Sequence, residues 1–75
     1  MEMEIVLDTL DKVNNFVATA QTRKQDIELT QGKYIVNAKS IMGVFSLDLT
    51  KPVTAKSEEP DNDFFEMIKI YIKQD

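Results

Sequence analysis

The spacing of apolar and polar positions changes period several times along the chain, and each change marks an element. Glu4-Ile5-Val6-Leu7 is a short apolar run with β-branched residues and predicts a strand. The period then lengthens. Leu10, Val13, Val17 and Ala20, with Phe16 beside them, recur at helical spacing and predict one buried face. Lys12, Asn15 and Thr19 fall on the opposite side. Asp8 or Thr9 is suited to cap this helix, because a short side-chain oxygen can accept a free N–H of the first turn. Arg23 and Lys24, near the expected end, suit the negative pole of the helix dipole.

Strict alternation follows. Asp26-Ile27-Glu28-Leu29-Thr30 reads as a half-buried strand, Gln31-Gly32 as a turn, and Lys33-Tyr34-Ile35-Val36 as the returning strand. Lys39-Ser40 opens a short helix, with Ser40 as its N-cap. Pro52 to Lys56 predicts a weaker strand, since a proline is tolerated only at the first position or on an edge. Lys56 to Pro60 is the only linker-like stretch, and Ser57 to Asp61 forms a polar turn. Asp61 or Asn62 then caps a last helix, Asp63 to about Lys73, with Phe64, Phe65, Ile68, Tyr71 and Ile72 on its apolar face. The order β-α-β-β-α-β-α predicts an α+β fold. A four-stranded, mostly antiparallel sheet would carry its helices on one face.

Composition narrows the function classes. Seventy-five residues make a single domain, 1–75. A chain of that size buries only roughly 60–65% of its unfolded surface, so the core is thin. A hydrophobic fraction of 43% argues against disorder. The net charge of −4 disfavours nucleic acid, and no basic stripe with interleaved aromatics offsets it. No apolar run is long enough for a membrane span, and no secretory signal is visible at the N-terminus. The cytoplasm is the expected compartment.

The inventory for catalysis is poor, and no enzyme activity is expected. There is no histidine and no cysteine, which removes the usual general base and thiol nucleophile. Gly32 and Gly43 stand alone, so no glycine-rich loop cradles a phosphate. Asp61, Asp63 and Glu66, preceded by Glu58 and Glu59, come closest to a metal set. An acidic helix N-terminus explains them better, so neither metal nor cofactor is expected. Ser40 is the best single candidate. It serves as an N-cap on any reading, and phosphorylation there would add about −1.5 to −2 charges at a helix start. Ile41, Val44 and Leu47 follow at helical spacing and predict core, which leaves Met42 and Phe45 facing solvent or a partner.

The run Asn37-Ala38-Lys39-Ser40-Ile41-Met42-Gly43-Val44-Phe45-Ser46-Leu47 resembles the regulatory-serine segment of the HPr family, phosphocarriers of the bacterial sugar phosphotransferase system. The element order and the Gly32-Lys33 turn extend the resemblance over most of the chain. It implies an open-faced β-sandwich with three helices on one side of the sheet. It implies that Ser40 is the serine a dedicated kinase modifies. It also implies that Ile41, Met42, Phe45 and Leu47 belong to the patch that docks other phosphotransferase proteins and a transcription regulator.

The resemblance fails at the family's acceptor. HPr proteins carry a phosphohistidine before the first helix, in a motif like Gly-Leu-His-Ala-Arg-Pro-Ala. Matching Phe16-Val17 to that helix places Thr9 near the histidine and Asp11 near the arginine. The loop here is Leu7-Asp8-Thr9-Leu10-Asp11, without His, Arg, Gly or Pro. Three readings follow. The first is a non-phosphocarrying, HPr-like interaction module switched at Ser40. The second is a phosphocarrier whose acceptor is Thr9 or Asp8. The third is a divergent interaction protein unconnected with sugar transport.

Overall fold

A computed structural model describes residues 1–72. Its elements follow the expected order: β1 (Glu2–Ile5), α1 (Leu10–Gln21), β2 (Glu28–Gln31), β3 (Tyr34–Asn37), α2 (Ile41–Phe45), β4 (Val53–Lys56) and α3 (Asn62–Ile68). A single 3₁₀ turn, Lys69–Tyr71, ends the described chain.

Alternation along the strands fixes the sheet. Its order is β1-β4-β2-β3, with every neighbouring pair antiparallel. Met3, Ala55, Leu29 and Val36 stand opposite one another in register on the covered face. One residue away, Glu2, Lys56 and Glu28 line up on the open face, so a one-residue slip would expose the core set. β4 is central rather than weak. Pro52 lies just outside it, where its missing N–H breaks no ladder bond. The first strand starts two residues earlier than its apolar run, yet Leu7 beyond it is still buried. The hairpin loop is Gly32-Lys33, because Gln31 pairs with Tyr34. Among the described residues Gly32 alone takes a positive φ, 58°, which a residue with a Cβ resists.

Phe16 sits at the centre of the core. Its ring meets Phe64 at 6.1 Å and Tyr71 at 6.2 Å, both edge-on, which ties α1 to the C-terminal helical segment. Val13, Val17 and Ala20 are buried as their spacing predicts. Leu10 is not; it is 61% exposed. It is the first helical residue, whereas Leu7, in the preceding loop, is buried in the core. The last helix is shorter than expected, because it tightens to 3₁₀ after Ile68; Lys73 lies outside the described residues. Ile72, expected on its apolar face, is exposed, since it lies beyond the helical turn. No described helix is long and apolar enough to cross a membrane.

The topology sorts the loops to two ends of the sheet. The β1–α1 loop, the Gly32-Lys33 turn and the α2–β4 loop share one end with Ile5, Gln31 and Val53. The starts of α2 and α3 share the other end, with Glu28 and Lys56.

Candidate functional site

Ser40 caps α2. Its backbone is extended, and its hydroxyl oxygen accepts the Gly43 N–H at 3.2 Å. The segment before it is fastened from several sides. Asn37 Oδ1 accepts the Lys39 N–H at 2.9 Å, which makes the local turn. Gln21 Nε2 donates to the Lys39 carbonyl at 2.9 Å, and Lys39 Nζ donates to the Arg23 carbonyl at 2.6 Å. Ser40 therefore starts beside the end of α1. Gly43 lies against β3 and Ser40: a Cβ on it would stand 3.4 Å from the Val36 Cβ and from the Ser40 Oγ.

Arg23 departs from its expected role. It lies beyond the end of α1 and grips Asp61 with two nitrogens, at 2.7 and 3.0 Å. Gln25 Nε2 adds a third bond at 2.6 Å, and Asp61 caps α3 by accepting the Phe64 N–H at 3.0 Å. The Gln25, Arg23 and Phe64 bonds hold the Asp61 carboxyl well below the usual carboxylate range, at about 2. Asp61 is thus a structural clasp. Among the described residues no three acidic side chains are placed to hold a metal ion.

The surface of α2 divides by spacing. Val44 is fully buried and Ile41 half-buried against the core. Met42 is 77% and Phe45 44% exposed. Leu47, expected also on the partner patch, is only 7% exposed and belongs to the core. It follows the C-cap Ser46, where the chain turns inward three residues after Val44.

Thr9 and Asp8 are placed elsewhere. Thr9 caps α1, accepting the Lys12 N–H at 3.2 Å, and Asp8 bonds Lys12 Nζ at 2.8 Å. The Lys12 bond holds the Asp8 carboxyl below its ordinary range, so it is ionised at neutral pH. α1 has twelve residues, which span about 18 Å, and so separates Thr9 from Ser40. The structure does not bring the two candidates together.

One feature of the surface escaped the sequence reading. The hairpin tip meets the α2–β4 loop in a concavity of about 390 Å³ lined by Gln31, Gly32, Lys33, Tyr34, Asp48 and Lys51. Gln31 holds it shut from below: its Nε2 donates to the Asp48 carbonyl at 2.7 Å, and its Oε1 accepts the Asp48 N–H at 2.8 Å. Only Lys33's position in a two-residue turn hinted at this exposed corner.

Together these features define a small open-faced α+β protein with a capped, partly exposed short helix as its most distinctive surface. A family model described as "PTS HPr component phosphorylation site" matches residues 12–69. The chain belongs to the HPr family of the phosphotransferase system. Its fold is similar to that of HPr-C-His from Thermoanaerobacter tengcongensis, at 26% identity and a TM-score of 0.73, over 92% of this chain and 91% of that one. It is similar also to the phosphocarrier protein HPr from Bacillus anthracis str. Ames, at 24% identity and a TM-score of 0.74, over 97% and 96% of the two chains. No curated protein sequence matches the chain.

Proposed function

We propose that this chain is an HPr-family interaction module that does not relay phosphate, and that Ser40 is its point of control. The observation that carries the reading is the complete absence of histidine from a member of this family. Phosphoryl relay needs a nucleophilic acceptor and a cation to neutralise the transferred group. The Leu7–Asp11 loop supplies neither an imidazole nor an arginine, and the family match begins after it, at Lys12. Its acids, Asp8 and Asp11, repel a phosphoryl donor. Ser40 supports the second half of the reading. It stands at the start of a fastened segment beside the exposed Met42 and Phe45, so a charge added there alters a contact face without needing to melt the fold.

Incubation with the general phosphotransferase enzyme and labelled phosphoenolpyruvate tests the first half. No acid-labile label is expected, and its appearance overturns the reading. Intact mass after exposure to the HPr serine kinase and ATP tests the second, with Ser40→Ala as control. One added phosphate on the native chain and none on the variant is the expected result.

A further inference from the structure

The concavities at the two ends of the sheet differ in charge. At the end where Glu28 and Lys56 lie, one concavity holds Glu2, Glu28 and Glu58 around Lys56, and the next holds Asp26 and Glu59 near Lys24. At the opposite end the hairpin-tip concavity holds two lysines, Lys33 and Lys51, and one acid. That acid is already engaged. Asp48 accepts the Thr50 N–H and hydroxyl at 3.1 and 2.6 Å, and stands 3.9 Å from Lys51. Among the described residues Lys33 has no ion-pair partner. Two weakly engaged cations therefore share one corner of a protein whose net charge is −4.

That corner adjoins α2, which packs against β3. Val36 packs against Gly43, and Tyr34 is two residues along on the same face of β3, 70% exposed. Asp48 follows Phe45 by three residues, and Gln31 pins it to the hairpin. α2, on which Met42 and Phe45 are exposed, packs beside β3, and Tyr34 of β3 lines the same concavity as the two lysines. An apolar and aromatic centre bordered by charge is the usual anatomy of a small contact surface.

We infer that the docking face of α2 extends onto the hairpin tip, and that it takes an amphipathic partner segment whose apolar side meets Met42 and Phe45 and whose acidic end meets Lys33 and Lys51. The inference rests on the proposed reading of α2 as a contact face and adds the chemistry of the partner. Charge complementarity selects the occupant: a basic end would meet like charge at this corner and opposite charge at the other end of the sheet.

Two synthetic helical peptides test it. They share leucines at helical spacing and differ at one end, where one carries two glutamates and the other two lysines. Each is titrated at low salt into the ¹⁵N-labelled full chain and into the double variant K33E/K51E. The acidic peptide is expected to bind the native chain roughly tenfold more tightly than the basic one, with the preference reversed in the variant and weakened by added salt. Amide shifts are expected at Lys33, Tyr34 and Lys51 as well as at Met42 and Phe45. Equal binding of both peptides, with shifts confined to α2, overturns the extension and leaves the α2 face standing. Absence of binding, or shifts elsewhere, overturns both.

Discussion

The two ends of α1 are built differently. At its start the bonds are local: Thr9 to Lys12 and Asp8 to Lys12, within four residues. At its finish they are long-range. Gln21 reaches Lys39, Lys39 reaches Arg23, and Arg23 and Gln25 reach Asp61. A loop held by its own neighbours can change composition without disturbing the fold. A segment fastened to two other parts of the chain cannot move without breaking them. The family match respects this division, since it covers the second region and omits the Leu7–Asp11 loop. The contrast means that substitutions at the start of α1 disturb fewer distant contacts than substitutions at its finish.

The largest effect that sharpens this contrast comes from Leu47. It is buried in the core just after the short helix that Ser40 caps, so Leu47→Ala should lower unfolding free energy by about 2–4 kcal/mol in urea denaturation. A loss under about 0.5 kcal/mol would return Leu47 to the surface and restore it to the contact patch.

Asp61 comes next, because it joins the finish of α1 to α3. Its carboxyl pKa is depressed from 3.8 to about 2 in the folded protein. A depressed carboxylate contributes stability above its unfolded value, and that contribution is lost as pH falls through the folded one. Asp61→Ala should therefore lower Tm at neutral pH, and the gap from the native chain should narrow as pH falls from about 4 to about 2. Circular-dichroism melts across that range check it; a gap independent of pH would assign the loss to something other than the charge.

The two N-caps give a smaller, more diagnostic effect. Thr9→Ala and Ser40→Ala should each cost about 1 kcal/mol. Their reach should differ. Hydrogen exchange after Thr9→Ala should quicken at Lys12 and Val13 only, because the bonds there are local. Propagation to the amides of Arg23 or Lys39 would break the comparison between the ends.

Much of this was legible in the sequence, for reasons that differ by element. The β2–β3 hairpin could be read because alternation and Gly32 are local signals. The Ser40 cap could be read, and the other two narrowed to Asp8 or Thr9 and Asp61 or Asn62, because a cap acts over three residues; the structure chooses Thr9 and Asp61. The central place of β4 could not, since strand order depends on pairing between Lys56 and both Glu2 and Glu28, far apart in sequence. The clasp of Arg23 on Asp61 was hidden for the same reason: their separation of 38 residues leaves no local trace. Leu47 could be read two ways. Helical spacing placed it in the core and the family resemblance placed it on the patch, and burial agrees with the spacing.

Met42 carries the smallest expected change in stability and the sharpest separation of fold from contact. Its side chain is 77% exposed and helps to close neither the core nor the Ser40 clasp. Met42→Ala should leave unfolding free energy within about 0.5 kcal/mol of the native value. Binding of the acidic peptide should nevertheless weaken, since an exposed methionine offers adaptable apolar contact that alanine cannot replace. Unchanged stability together with lost binding would mark α2 as a surface maintained apart from the fold. Lost stability would mark Met42 as a lid on a thin core, and the difference between the two ends of α1 would then be one of packing alone.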